Sequence, residues 1–254
     1  MNHPYVYITG ATSGIGEACA YAFAALGYPL ILSGRRAERL EDVKNKCLAT
    51  SPSVITQVMD VRSFEEVEAN VKALPEDVRQ NVGILINNAG LAVGRDTIDN
   101  GVLDDWNRMI DTNIKGLLHV SKCIIPLLQN RNEGHIFNIA SIAGKEVYPS
   151  GNVYCATKHA VDALSRAMRI DLVNNNIKVT NVAPGAVETE FSLVRYKGDQ
   201  EKADATYLGY DPLVAADVAE IIVFAASRPK HVNMNDIVIM PTAQASATVF
   251  NVQK

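Results

Sequence analysis

Short runs of β-branched and aliphatic residues recur along the chain at YVYIT (5–9), LILS (30–33), VITQV (54–58), GILI (83–86), HIFNI (135–139), KVTNV (178–182) and DIVIM (236–240). Between them lie longer segments, 16–26, 37–49, 64–74, 104–128, 153–173 and 215–226, whose apolar positions have the spacing of helices packed on a sheet. Short runs bounded by turns and separated by helix-length segments are the pattern of crossover units feeding a parallel sheet. The pattern predicts an α/β fold: a doubly wound parallel sheet of seven strands flanked by helices on both faces. No repeat or low-complexity linker divides residues 1–254, so one domain is expected. The exception is 185–212, GAVETEFSLVRYKGDQEKADATYLGYDP, which is polar, dotted with aromatic residues and weakly periodic. It suits a loop or small helical lid over a site, where substrate specificity resides.

Composition narrows the partners. With 254 residues, 48% of them hydrophobic, the chain can bury a substantial core. Its 24 Lys plus Arg and 28 Asp plus Glu give a formal charge of -4 without long runs, so neither a nucleic-acid footprint nor a polybasic membrane patch is indicated. Small molecules are the expected partners. Cys19, Cys47, Cys123 and Cys155 are scattered with no C-x-x-C, which argues against a disulfide framework or a thiolate metal cluster and for a reducing compartment. No metal site is expected. MNHPYVYITGATSG lacks the basic leader and apolar core of a signal peptide, and no stretch is apolar enough to span a membrane. A soluble, cytoplasmic protein is the expectation.

The first strand runs into Gly10, Gly14 and Gly16 and then an apolar helix. Glycines there let the backbone approach a pyrophosphate and leave the helix N-terminus free to bind it, with Thr12 and Ser13 adding hydroxyl donors. The second strand ends in SGRR, where an acidic residue would otherwise accept from a free ribose 2′-hydroxyl. Arg35 and Arg36 suit a 2′-phosphate instead, because guanidinium offers planar, charge-assisted donors, so NADP is favoured over NAD. The plainer alternative is a solvated helix start. Asp60, after the third strand, can accept from an adenine amino group or cap the next helix. In LINNAGLAVG the small and amide-bearing residues Asn87, Asn88, Ala89 and Gly90 suit close passage of a ribose, although the segment alone is only a turn.

The fifth strand runs into NIASIAG, placing Ser141 just past the carboxyl edge of the sheet. Tyr154 follows thirteen residues later, and Lys158 lies four beyond it, on the same helix face. Moving a hydride at carbon requires a partner that moves a proton on the attached oxygen. Tyrosine titrates near pH 10, about three units above neutrality, so as a base it needs a cation nearby, which Lys158 can supply. A buried tyrosine beside an unrelated lysine would read the same in isolation.

Together these motifs resemble the short-chain dehydrogenase/reductases over nearly the whole chain: T-G-x-x-x-G-x-G at 9–16, N-N-A-G at 87–90, Asn113 in DTNIKG, Ser141, Tyr154 with Lys158, and P-G at 184–185 followed by Thr189. The resemblance implies a Rossmann-type domain in which the turn including Ile15 carries the pyrophosphate. It implies Tyr154 as general acid/base, Ser141 bound to the substrate oxygen, and Lys158 lowering the Tyr154 pKa while holding the nicotinamide ribose. Asn113 would position a water between Lys158 and solvent, and Pro184, Gly185, Val187 and Thr189 would hold the nicotinamide. It also implies a homotetramer built through paired long helices and the C-terminal segment, where 242–254 reads as an apolar tail able to dock on a partner chain.

SGRRAERL, GNVYCATK, TEFSLVRYKGD and HVNMNDIVIMPTAQ carry a narrower resemblance to NADP-dependent 3-hydroxy acid dehydrogenases acting on serine, allo-threonine, 3-hydroxypropionate or malonic semialdehyde. Its physical content is Arg195, a lid cation able to pair with a substrate carboxylate; the alternative is a surface or subunit-contact arginine. A reductase of another carbonyl, such as a 3-oxoacyl thioester, a diketone or a sugar, keeps the same catalytic set. A non-catalytic NADP-binding protein is the reading from another class, since a fold does not dictate function. Ser141 lacks the G-x-S-x-G surroundings of a hydrolase nucleophile.

Overall fold

In the computed structural model, which describes residues 3–252, the first apolar run forms β1 (Tyr5–Thr9) and passes through the glycine turn into α1 (Gly14–Ala25). The crossover repeats through β2 (Leu30–Gly34), α2 (Ala37–Cys47), β3 (Val54–Val58) and α3 (Phe64–Ala73). Ser63 starts α3 by accepting from the Glu66 amide at 3.2 Å, so the capping alternative for Asp60 falls to Ser63. A five-residue α4 (Glu76–Gln80), too short to register as a period, precedes β4 (Val82–Asn87).

The segment expected as one helix over 104–128 is divided. It forms α5 (Leu103–Ile110), a wide π turn (Asp111–Gly116) and α6 (Leu117–Arg131). The Asn113 side chain explains the interruption. Its amide donates to the Leu91 carbonyl and accepts from the Leu91 amide, both at 2.8 Å, and also donates to the Thr157 hydroxyl at 3.0 Å. These bonds offset the irregular helix hydrogen bonding. The chain continues through β5 (Gly134–Ile139), α7 (Asn152–Leu172) and β6 (Ile177–Pro184). The irregular segment then holds β7 (Val187–Glu188), α8 (Phe191–Arg195) and α9 (Gln200–Ala205), and β8 (Leu213–Val214), α10 (Ala215–Ala226) and β9 (Asp236–Ile239) complete the order.

Seven strands form one sheet in the order β3-β2-β1-β4-β5-β6-β9, and every neighbouring pair is parallel. One face is covered by α1, α2 and α10, with Phe23, Leu40 and Ile222 in its core. The other is covered by α3, α6 and α7, with Val67, Ile124 and Met168 packed on Tyr7 and Leu85. The chain winds outward from β1 to β3, then returns to pair β4 with the other side of β1. Where the winding reverses, the loops at the strands' carboxyl ends diverge and leave a crevice.

Candidate active site

The crevice at the end of β1 is shaped by backbone. Gly10 and Gly14 have φ of 65° and 56°, left-handed values that residues with a Cβ rarely adopt. A Cβ on Gly16 would overlap the Gly10 carbonyl oxygen and the Asn88 amide, so α1 packs against its own turn only with glycine there. Ser13 occupies the N-cap without a side-chain capping bond, leaving its hydroxyl and the first α1 amides available to an anion. Thr189 closes over Gly14 from above, while Ile15 packs partly into the core. A cradle with no room for a Cβ beneath an uncapped helix N-terminus fits the pyrophosphate of a dinucleotide.

Asn88 fastens this cradle, donating to the carbonyls of Thr9 and Gly10 at 2.9 and 3.1 Å. The Thr9 hydroxyl in turn accepts from the amides of Asn88 and Ala89, both at 3.0 Å. By contrast, the Asn87 side chain points inward, donating to Ser121 and Asn138, so only its backbone borders the crevice. At the second strand's end Arg35 is exposed, whereas Arg36 bonds the Thr12 hydroxyl and carbonyl and pairs with Glu190 at 2.9 Å. Asp60 faces Arg62 at 2.6 Å. Partial burial pushes its carboxyl up, but hydrogen bonds from Arg62 and the charges of Arg62 and Arg35 hold it below the usual range.

Ser141 ends the fifth strand's loop as the N-cap of a short 3-10 turn. Its Oγ accepts from the Ala143 amide at 3.1 Å and donates to the Pro184 carbonyl at 3.5 Å. Tyr154 and Lys158 share one face of α7 and are only 8% and 5% exposed. Lys158 Nζ donates to the Ile139 carbonyl at 2.8 Å and lies 5.9 Å from the Tyr154 ring centre. Gly90 faces this group: a Cβ on it would lie 3.2 Å from Asn113 Oδ1 and 3.5 Å from Lys158 Nζ. Gly90, Asn113 and Lys158 therefore converge at the floor of the crevice.

Burial sets the local electrostatics. It lowers the Lys158 ammonium to about 8 and pushes the Tyr154 phenol up to about 12. Two neighbours offset the rise at Tyr154: the Arg195 charge and the Ser141 hydroxyl. The Arg195 guanidinium sits 5.0 Å from the Tyr154 ring centre and 5.1 Å from that of Phe191, and it donates to the Tyr148 hydroxyl at 3.4 Å. The cation nearest the tyrosine ring is thus Arg195 rather than Lys158.

Beyond Tyr154 opens a cavity of about 840 Å³ lined by Ser141, Tyr148, Phe191, Arg195, Tyr207 and Arg95, among others. Neither Arg195 nor Arg95 forms an ion pair among the described residues. Arg95 donates to the Tyr196 hydroxyl at 3.3 Å and the Pro149 carbonyl at 3.4 Å. Sequence reasoning missed Arg95, Tyr148 and Tyr207, whose local surroundings carry no period or motif. It also missed Gln244, which accepts from the Ala186 amide at 2.8 Å and props the 185–187 turn. That bond draws the tail back onto its own chain. Gln244 bridges Phe250, the Phe250 ring lies 5.1 Å from that of Tyr210, and Ala247, Thr248 and Val252 line the cavity. Residues 253–254 of the apolar tail lie outside the described residues.

Other conspicuous residues are absorbed by packing. Trp106 stacks on Gly101, His119 meets the Val61 carbonyl, and His135 meets the Thr180 hydroxyl. Cys155 is buried, and burial pushes its thiol up. Among the described residues no three His, Cys, Asp or Glu side chains gather as metal ligands would, and no helix is long and apolar enough to cross a membrane.

Comparison with known proteins agrees with this geometry. A family model described as short chain dehydrogenase matches residues 4–199. A sulfoacetaldehyde reductase of Chromohalobacter salexigens is 46% identical over 241 residues, covering 94% of both chains. The NADP-dependent 3-hydroxy acid dehydrogenase YdfG of Salmonella typhi is 42% identical over 243 residues, 95% of this chain and 96% of that one. Among solved structures, the closed form of a serine dehydrogenase complexed with NADP+ superposes with a TM-score of 0.92 at 40% identity, covering 98% of this chain and 99% of that one.

Proposed function

The chain belongs to the short-chain dehydrogenases, and from that membership we propose that it reversibly oxidises the hydroxyl of small 3-hydroxy acids such as L-serine, L-allo-threonine or 3-hydroxypropionate. It is an NADP-dependent oxidoreductase acting on CH–OH groups. One observation carries the substrate class: Arg195 faces the cavity over Tyr154 with no carboxylate of its own to neutralise it. A guanidinium placed this way suits a substrate anion and orients the adjoining carbon toward the reacting groups.

When bound, the dinucleotide supplies or accepts the hydride at the substrate carbon. The cradle from Gly10 to Gly16, with Thr12 and Ser13, would hold its pyrophosphate. Arg35 and Arg36 would take the 2′-phosphate, and Asp60, Ala89, Gly90 and the 184–189 turn the remainder. Tyr154 gives its phenolic proton to the carbonyl oxygen in reduction and takes it back in oxidation. Ser141 holds the same oxygen. Lys158 and Arg195 both favour the phenolate, and the Asn113 turn fixes the backbone beside Lys158, where a relay water would sit. Residues 185–212 act as the lid, with Phe191 and Tyr207 excluding bulk water.

The 46% identity to sulfoacetaldehyde reductase favours a second reading, a sulfonate in place of the carboxylate. Purified enzyme with NADP+ should oxidise 3-hydroxypropionate or 2-hydroxyethanesulfonate while leaving 1-propanol nearly untouched. In Arg195→Ala the KM for the acid should rise roughly 10- to 100-fold, the size of a charge-assisted hydrogen bond. Equal turnover of acid and neutral alcohol would discard the anion clamp and retain only the dehydrogenase.

Homotetrameric assembly is also proposed. Leu103, Ile110 and Leu118 along α5 and α6 and Ile170 on α7 are exposed apolar side chains on the long helices. Light scattering should return four times the 27.6 kDa chain mass, and a monomeric mass would reject the assembly. Four free cysteines suit the reducing cytoplasm proposed as its location.

A further inference from the structure

We propose that Asp105 is a positioning residue that acts through Lys197 to hold Arg195 over Tyr154, and so sets the affinity for the substrate anion; this rests on the anion-clamp reading of Arg195. Asp105 lies in the first turn of α5, and its side chain is only 6% exposed. A carboxylate is rarely buried so deeply without a charge partner. Its partner is Lys197, whose Nζ lies 2.6 Å from Oδ2 and whose chain position is two residues past Arg195. Arg108, on the same helix, approaches the other oxygen only to 4.0 Å.

Three further features locate the clamp at this corner. The Gly94 amide donates to the carbonyl of Arg195 itself at 3.0 Å. Gly94 has φ of 75°, and a Cβ there would lie 2.9 Å from Asp105 Oδ2, so the carboxylate rests directly on the loop that grips Arg195. Lys197 takes φ of 55° as the left-handed residue that ends α8, where its amide donates to the Val194 carbonyl at 3.1 Å and the Gly198 amide to the Leu193 carbonyl at 2.9 Å, so the helix end itself fixes the backbone that carries the ammonium. Alongside, the lid faces α5 across a hollow of about 600 Å³ lined by Val102, Leu193 and Val194. The ion pair spans what packing leaves open.

Without the clamp, Arg195 should sample more positions while Ser141, Tyr154 and the cofactor cradle stay in place. The test measures kcat, KM for 3-hydroxypropionate and 2-hydroxyethanesulfonate, KM for NADP+ and the thermal midpoint. The variants are Asp105→Asn, Lys197→Met, Lys197→Arg and Arg195→Ala, with Asp105→Asn combined with Arg195→Ala. Asp105→Asn and Lys197→Met should each raise the acid KM by roughly 5- to 20-fold, more than any fall in kcat from a weaker Arg195 charge at Tyr154, with KM for NADP+ unchanged. Lys197→Arg should keep the parental KM, and Asp105→Asn should add nothing to Arg195→Ala, since coupled residues are non-additive. Unchanged acid KM, a parallel fall in kcat, or additive effects would overturn the clamp. If Asp105→Asn does not fold, Lys197→Met decides, because that ammonium is half exposed. Failure of Arg195→Ala to raise the acid KM, or no turnover of either acid by the parent, would instead remove the reading on which the clamp depends.

Discussion

Tyr154→Phe is expected to lower kcat by roughly 10³-fold or more in both directions while leaving NADP+ affinity nearly unchanged, because it removes the proton donor and little volume. The pH dependence has a definite sign. Burial pushes the phenol up to about 12 in the described structure, so at neutral pH it is protonated and ready to act as the acid in carbonyl reduction. Oxidation needs the phenolate, so its rate should climb with pH. Arg195 lowers the Tyr154 pKa, and in Arg195→Ala the oxidation limb should therefore move to higher pH. Parental activity in Tyr154→Phe would remove the tyrosine from the chemistry. An unshifted profile in Arg195→Ala would assign the effective cation to Lys158 alone.

Lys158→Met should move activity and stability in opposite directions. Loss of the ammonium is expected to lower kcat/KM by roughly 10²-fold or more, since a buried positive charge beside a developing phenolate acts in a low-dielectric site. The stability effect follows from linkage. Burial lowers Lys158 from 10.5 in the unfolded chain to about 8, so between these values the unfolded state binds more protons. The stabilising contribution of the neutral lysine is complete above 10.5 and is lost as pH falls through 8. At pH 7 the folded chain therefore carries the cost of a buried charge, and Lys158→Met should be more stable there by on the order of 2 kcal/mol. That advantage should shrink as pH rises through the window. Urea unfolding at neutral and alkaline pH checks both signs, and a destabilised Lys158→Met at pH 7 would mean that the Ile139 carbonyl and the bound cofactor site compensate the charge fully.

Much of the molecule was legible from local pattern. The seven apolar runs became the seven strands of the main sheet to within two residues at most, because a short run between glycine and helix signals has few alternatives. Gly10, Gly14 and Gly16 were readable because each answers to a backbone condition of its own turn. Tyr154 and Lys158 were readable because a helix brings residues four apart onto one face without help from the rest of the chain. The misjudged helix over 104–128 marks the limit of this logic. Its apolar spacing is continuous, and the bonds that widen it at Asn113 come from Leu91 and Thr157, 22 and 44 residues away.

The sequence by itself determined the α/β winding, the glycine turn and the placing of Tyr154 and Lys158 on one helix face, since each depends on contacts within a turn or a helix. Only the tertiary structure decided how the charges are arranged. It turned Asn87 inward and left Asn88 to fasten the cradle. It paired Arg36 with Glu190 across 154 residues and joined Arg95 to Tyr196 across 101. It stacked Arg195 on Tyr154 and pinned its neighbour Lys197 to Asp105. Long charged side chains reach several ångströms in any direction, so their partners depend on which surfaces the fold brings together. Periodicity and spacing along the chain report only the neighbours that a single element creates.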